Sequence, residues 1–249
     1  VSGHSKWSTI KHKKARTDAK RGKAFTKLIK EVVVAARAGG KDQDGNARLR
    51  AAVITARTAN VPKDTIARAI LRGAGEIEGA IYEELTYEGY GPGGVAFFIE
   101  VTTDNRNRTV AEFRALLTRA GGKLGNDGSV AWMFEKKGLI EIDGARDFDA
   151  VFEAAVEAGA EDAEPGEDGE PHAVYCEFTD LHTVAAALEA NGFAVANAKG
   201  TRLTTNPTDI SGALVDQIMA LMETFDDHDD VQSVYTNAEI SDDDLARLS

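Results

Sequence analysis

Strand-type spacing of the apolar residues first appears near residue 79, and that change constrains the chain more than any other feature. Before it they recur at helical spacing, and after it they fall largely into short alternating runs punctuated by glycine. A chain with two such periods holds at least two kinds of packing unit. From Lys23, the residues Phe25, Leu28, Ile29, Val32, Val33 and Ala36 follow the i, i+3, i+4, i+7 template and stop at Gly39-Gly40. A second helix is predicted from about Asn46, with Leu49, Ala52, Val53 and Ala56 on one face. A third is predicted after Asn60 as its N-cap, with Pro62 in the first turn and Ile66, Ala67, Ile70 and Leu71 inward. Ahead of them, residues 2–22 are polar and cationic without an apolar period and read as an extended arm.

Past residue 79, strands are predicted over 82–88 and 95–102, joined across Gly89-Tyr90-Gly91-Pro92-Gly93-Gly94. A helix carrying Val110, Phe113, Leu116 and Leu117 follows, then a strand around 130–134. The next stretch reads strand, helix, short strand, strand, helix, strand between 139 and 203, the split βαβ pattern. The tail adds a helix with Leu214, Ile218, Leu221, Met222 and Phe225 and a strand over 231–235. The fold class is therefore α+β and multidomain: an N-terminal three-helix bundle followed by two ferredoxin-like α/β sandwich domains, one inserted in the other. The expected domains are 1–78, then 79–137 completed by 204–240, with 138–203 inserted and 241–249 as a tail.

Charge divides the chain at nearly the same place. Residues 1–74 hold 18 Lys+Arg against 5 Asp+Glu, a net of +13, while the rest holds 11 against 36, a net of −25, giving −12 in all. A polyanion is drawn to the first part by counterion release and repelled by the second, so bulk charge encodes its orientation. With 43% hydrophobic and 28% charged residues the chain lies outside the disordered class. No apolar run approaches the ~18 residues of a membrane span, and the lysines at the start lack a following apolar segment, which predicts a cytoplasmic protein. The single Cys176 excludes an internal disulfide and reads as buried filler.

The candidate nucleic-acid-binding residues are Lys6, Trp7, Lys11, His12, Lys13, Lys14, Arg16, Lys20, Arg21, Lys23, Lys27, Lys63, Arg68, Arg106 and Arg108. Lysines around Trp7 suit phosphate neutralisation with stacking on a base; the alternative is a Trp folded back onto the bundle. On the bundle, Lys27, Lys30, Arg48, Arg50, Arg57, Lys63, Arg68 and Arg72 are expected on outer faces. Arg106 and Arg108 open a helix, where cations oppose the macrodipole at a cost of about 0.3–1 kcal/mol each, so something outside the helix is expected to use them. A phosphate, an acidic partner and a solvated loop all fit there.

Gly89-x-Gly91-x-x-Gly94 has dinucleotide-binding spacing, but a strand follows where a helix is required, so it reads as an irregular hairpin turn whose amides remain available to phosphate. Asp226-Asp227-His228-Asp229-Asp230 lacks the alternation and turn glycine of a calcium loop and reads as a solvated acidic turn. No metal, no cofactor and no catalytic residues are expected: there is no nucleophile elbow, zinc-protease or phosphate-loop motif.

Several segments together resemble the YebC family. They are Gly3-His4-Ser5-Lys6-Trp7, Ile10-Lys11-His12-Lys13-Lys14, Lys20-Arg21-Gly22-Lys23, Phe25-Thr26-Lys27-Leu28, Asn60-Val61-Pro62-Lys63-Asp64, Tyr87 through Gly94, Thr103 through Thr109, Gly121 through Gly125, and Gly128-Ser129-Val130. They run in order along essentially the whole chain, with Val1 where Met is expected. The resemblance implies a three-domain, crescent-like, non-enzymatic regulator of gene expression with the helical bundle first. Its bacterial members are described as DNA-binding transcriptional regulators, and a mitochondrial relative as a translational activator of a cytochrome oxidase subunit. A ribosome-associated role in relieving stalls is also implied. The expected partners are duplex DNA or ribosomal or transfer RNA, with the ribosome itself as a further partner, and neither a membrane nor a small-molecule substrate. Lys63, Arg68 and Arg72 suit phosphates better than base edges, and a cationic arm with a second anchor suits folded RNA, which tilts the residues slightly toward RNA.

Overall fold

The computed structural model describes residues 18–166, 169–241 and 243–244, with the side chains of 18–21 left aside. The chain divides into two compact units, one over 132–207 and the other built from the described residues on either side of it.

In the larger unit three helices come first: α1 (Asp18–Gly39), α2 (Ala47–Thr58) and α3 (Lys63–Gly73). Val32, Val33, Ala35 and Ala36 of α1 meet Leu49, Ala52, Val53 and Ala56 of α2 and Ile66 and Ala69 of α3 in one buried cluster. The helical period read from the sequence is the period that is buried, with one exception: Ala67 faces solvent and Ala69 takes the inward position. The expected extended arm is also shortened from its inner end, because residues 18–22 are already helical. Gly22 does not break the helix, since one interior glycine costs only about 1 kcal/mol against a run this long.

The two connections are set by asparagines used in opposite ways. Asn46 caps α2 as expected, its Oδ1 accepting from Leu49 N at 3.0 Å. Its buried Nδ2 donates to Ala35 O and Gly40 O, both at 2.8 Å, and so also satisfies the end of α1. Replacing Asn46 with Ala removes a cap worth about 1 kcal/mol and leaves orphaned carbonyls worth about as much again. A urea titration of Asn46→Ala should show a loss of about 2–3 kcal/mol with an unchanged m value. Asn60, expected as the N-cap of α3, instead ends α2. It sits at φ 62°, in the left-handed region asparagine tolerates. Asn60 N donates to Arg57 O and Val61 N to Ala56 O, both at 2.9 Å, a Schellman closure. Pro62 precedes α3 and supplies no side-chain cap.

After the bundle, β1 (Glu83–Tyr90) and β2 (Ala96–Thr103) form the expected hairpin, in register from Glu83 opposite Thr103 to Tyr90 opposite Ala96. Helix α4 (Arg106–Arg119) and the short β3 (Lys123–Leu124) follow. After the second unit, β8 (Thr208–Ile210), α7 (Ala213–Asp226), β9 (Val231–Thr236) and β10 (Ala238–Ile240) return to the first. The sheet order is β3-β1-β2-β9, all antiparallel, and β8 pairs with β10 in a separate parallel ribbon. Phe113 of α4 stacks edge-on against Phe225 of α7 at 5.2 Å, and Phe225 lies 6.0 Å from Phe97 of β2, so both helices share one sheet face.

The strand expected around 130–134 is absent; β3 takes its place, and residues 131–133 form a 3₁₀ turn. Glu88 explains the difference. Its buried carboxylate accepts from the amides of Gly128, Val130 and Ala131 at 2.7–2.8 Å, so these donors are unavailable to a ladder.

The second unit runs β4 (Phe134–Ile142), α5 (Phe148–Glu157), β5 (Asp162–Glu164), β6 (His172–Glu177), α6 (Leu181–Ala190) and β7 (Val195–Thr204). Its order β5-β6-β4-β7, antiparallel throughout, is the ferredoxin-like arrangement expected from a βαββαβ run. Ile140, Ile142, Val151, Val174, Leu181 and Leu188 fill its core together with Cys176, whose thiol burial pushes up in pKa and keeps inert. No described helix is long and apolar enough to cross a membrane.

Candidate nucleic-acid interface

Helix α1 sorts its lysines by spacing. Lys23, Lys27 and Lys30 stand at i, i+4 and i+7, on one face, and that face meets the end of α7. Lys23 Nζ donates to Asp227 O at 2.9 Å, and Lys27 Nζ to Asp226 O, with the Asp226 carboxylate at 3.6 Å. A helix C-terminus with unbonded carbonyls and a negative dipole end is a natural seat for them. Lys30, 7% exposed, donates to Asp230 Oδ1 at 2.7 Å, Asp229 O at 2.9 Å and Thr102 O at 3.2 Å, which uses all three of its protons. The expectation that Lys27 and Lys30 lie outward is therefore corrected: both are turned into the protein. Lys27 leaves the set of candidate contacts for the same reason, and Lys23, although exposed, is tied to Asp227.

The same network settles Arg108. Its guanidinium donates to Asp230 Oδ2 at 2.7 Å and Asp104 Oδ1 at 3.0 Å. Thr109 and Thr103 hydroxyls complete the shell of Asp230 Oδ2 at 2.8 and 3.1 Å. Of the three readings held for the arginine pair, Arg108 takes the acidic partner, and the partner is internal. Burial pushes the Asp230 carboxyl up, but the hydrogen bonds from Lys30, Arg108 and Thr109 and the charge of Lys30 outweigh it and hold the group far below the usual carboxylate range. Residues 226–230 are thus not the solvated turn expected. Glu112, His228 and Asp230 could in principle face a shared ion. Yet His228 bonds Glu112 at 3.0 Å and accepts from Asp230 N at 3.1 Å, while Asp230 is filled by cations.

Cations on the bundle's far side have no carboxylate partner among the described residues, and Arg50 reaches only Asp44 O at 3.5 Å. On α2 the buried stripe Leu49, Ala52, Val53, Ala56 leaves Ile54 on the opposite side, 56% exposed, with Arg50 and Arg57 exposed on the flank beside it. Lys63, Ala67 and Arg68 of α3 are exposed across the Asn60 turn. Among the described residues none of Arg50, Arg57, Lys63 and Arg68 pairs with a carboxylate. Arg48 is the contrast on the same helix: Glu31 holds it bidentately at 2.8 and 3.0 Å, and Glu84 approaches to 2.6 Å. Arg72 is half-buried, its Nε packed where a side chain at Gly79 would collide. Lys63 and Arg68 therefore stand where the sequence reading places them, and Arg50 and Arg57 join them. The signal for the latter pair is their i, i+7 spacing along the flank of the apolar stripe. Arg106 is exposed without a carboxylate partner among the described residues. Lys6, Trp7, Lys11, His12, Lys13, Lys14 and Arg16 lie outside the described residues, as do the side chains of Lys20 and Arg21.

A helical bundle with outward cations that lack carboxylate partners among the described residues, together with two acidic antiparallel α/β layers, defines a charge-segregated multidomain α+β protein. Residues 5–76 match the TACO1/YebC N-terminal domain and residues 82–238 the TACO1/YebC second and third domain. The chain belongs to the TACO1/YebC family. It is 51% identical over 248 residues to a probable transcriptional regulatory protein of Trichlorobacter lovleyi, covering 100% of each chain. A protein of the same description from Acidithiobacillus ferrooxidans is 54% identical over 248 residues, 100% of this chain and 98% of that one. The crystal structure of a conserved hypothetical protein from Aquifex aeolicus superposes with a TM-score of 0.87 at 44% identity, covering 94% of this chain and 96% of that one.

Proposed function

We propose that this protein is a non-enzymatic, nucleic-acid-binding regulator of gene expression that acts in the cytoplasm and holds its target by the phosphate backbone. The observation that carries this reading is the row Arg50, Arg57, Lys63 and Arg68, exposed and without a carboxylate partner among the described residues, in a protein of net charge −12 where Lys30 and Arg48 of the bundle are neutralised from within. Unpaired cations on one face of an otherwise acidic molecule attract a polyanion through counterion release and fix which side it approaches. The names of the relatives support transcription as the setting, in which duplex DNA would be the polyanion held. A second reading, a translation regulator working on RNA at the ribosome, is favoured by the chemistry of the row. Neither α2 nor α3 contains Asn or Gln, the residues that read adenine edges, so base readout by this face is restricted to guanine through its basic residues, and contact to backbone and shape suits it better.

Two measurements separate the settings. As a sequence-specific DNA regulator, the protein should select from random duplexes one that binds at least about 10³-fold tighter than the pool at fixed salt. As an RNA-directed regulator it should yield no such duplex, cosediment with ribosomes from lysate, and be released when Lys11, Lys13 and Lys14 are changed to Ala. Purified protein that binds no duplex, RNA or ribosome in dilute buffer would end both readings.

A further inference from the structure

We propose a second phosphate-binding site on the β3 side of the larger unit, formed by Arg106, Arg114 and Lys123 and taking the phosphate backbone of a nucleic acid. The inference rests on the nucleic-acid reading above and adds a place to it. Beyond residue 74 acidic residues outnumber basic ones 36 to 11, yet five of those eleven cations fall within 106–123. Helix geometry separates them into two flanks at about 100° per residue. Arg108 and Glu112 face the α7 side, where they bond Asp230 and His228, and Arg119 shares their side of the helix. Arg114 stands about 160° round from Glu112, on the flank with Asn107, Ala111 and Thr118, all exposed and none acidic.

That flank overhangs the sheet edge. Helix α4 packs over β1 and β3, and the Tyr87 hydroxyl of β1 reaches Arg106 O at 3.5 Å. β3 is the outermost strand, paired to β1 through Gly89–Leu124 and Tyr90–Lys123. Lys123 is exposed and lies over the Tyr90 ring at 5.8 Å. Gly122 makes this approach possible, since a Cβ there would stand 2.2 Å from Tyr90 O. Arg106, Arg114 and Arg119 have no carboxylate partner among the described residues, in contrast to Arg108 on the same helix. Arg106 to Arg114 spans about 12 Å along the helix, the rise of about three to four nucleotides of one strand. The Arg108–Asp230–Lys30 network joins the start of α4 to α1, so the second site belongs to the same packed unit as the bundle row.

The test is a salt titration of binding by fluorescence anisotropy, using a mixed-sequence RNA and a mixed-sequence duplex of about 30 nucleotides over about 0.05–0.2 M salt. The variant R106Q/R114Q/K123Q should lower the slope of log affinity against log salt by about 2 on single-stranded RNA or nearly 3 on duplex. Its melting temperature should match the wild type, R119Q should keep the wild-type slope, and R106K/R114K/K123R should restore it. The polymer on which the loss reaches its full three-contact value, about 2 for RNA or nearly 3 for duplex, identifies the strand type. A wild-type slope in the triple Gln variant overturns the second site while leaving the bundle row standing. Failure of the wild-type protein to bind either polymer overturns the function proposed above, and this site with it.

Discussion

Asp230→Ala should be among the most destabilising single substitutions in the protein, costing about 3–5 kcal/mol, because it leaves two cations facing a site stripped of its anion. Asp230 is 2% exposed and accepts from Lys30, Arg108, Thr103 and Thr109, which come from two distant stretches of chain, α1 and residues 103–109. Lys30 is itself buried and cannot recover water without α1 leaving the sheet. A loss of that size lowers the melting temperature by about 10 °C in a protein of this length. Native-state hydrogen exchange should place the damage in α1, β2 and β9, with the amides of β4 and β6 keeping their protection. A cost under about 1 kcal/mol would mean the network is ornamental.

The same carboxylate makes a pH prediction. Its folded-state pKa lies far below the ordinary value, so it contributes stability at neutral pH. That contribution is fully present above the ordinary carboxylate value of about 4 and is lost as pH falls below it toward the depressed folded value. Wild-type stability should therefore drop steeply below about pH 4, and Asp230→Asn should show a shallower acid limb from a lower plateau. Parallel acid limbs would show that the carboxylate titrates alike in both states. A cycle with Lys30→Met should give a coupling of up to about 3 kcal/mol, since each single change strands the other group.

How far the sequence carries is clearest where local and distant chemistry compete. Leu49, Ala52, Val53 and Ala56 were legible because helical period alone dictates a buried face. The strand and helix order between β4 and β7 was legible because a βαββαβ run has few antiparallel closures. Asn60 was not, since asparagine suits both an N-cap and a left-handed helix end, and only the backbone bonds to Ala56 and Arg57 decide. The apolar run from Val130 reads as a strand until Glu88, 42 residues earlier, takes its amide. Lys27 and Lys30 were misplaced because bulk charge treats every lysine alike, and their partners lie 199 and 200 residues downstream. Two signals did stand in the sequence: the i, i+4, i+7 spacing of Lys23, Lys27 and Lys30, which puts all three on one face, and an acidic run with no other employment.

That sorting gives the largest functional prediction. The variant R50Q/R57Q/K63Q/R68Q should bind RNA or duplex about 10²–10³-fold more weakly at about 0.15 M salt, with a salt slope reduced by about 3 to 4. Its stability should stay within about 2 kcal/mol of wild type, since each site is a surface position without a carboxylate partner. Lys30→Gln carries the same loss of charge per residue but should do the reverse: destabilise strongly and leave the slope unchanged, because its proton donors already belong to Asp230, Asp229 and Thr102. Arg48→Gln, bound to Glu31 and Glu84, should likewise spare the slope. If net charge alone governed binding, all six positions would contribute equally, and the slope would fall by the same increment at each. Equal increments would refute the division of the bundle's cations into those committed to the fold and those left for a partner.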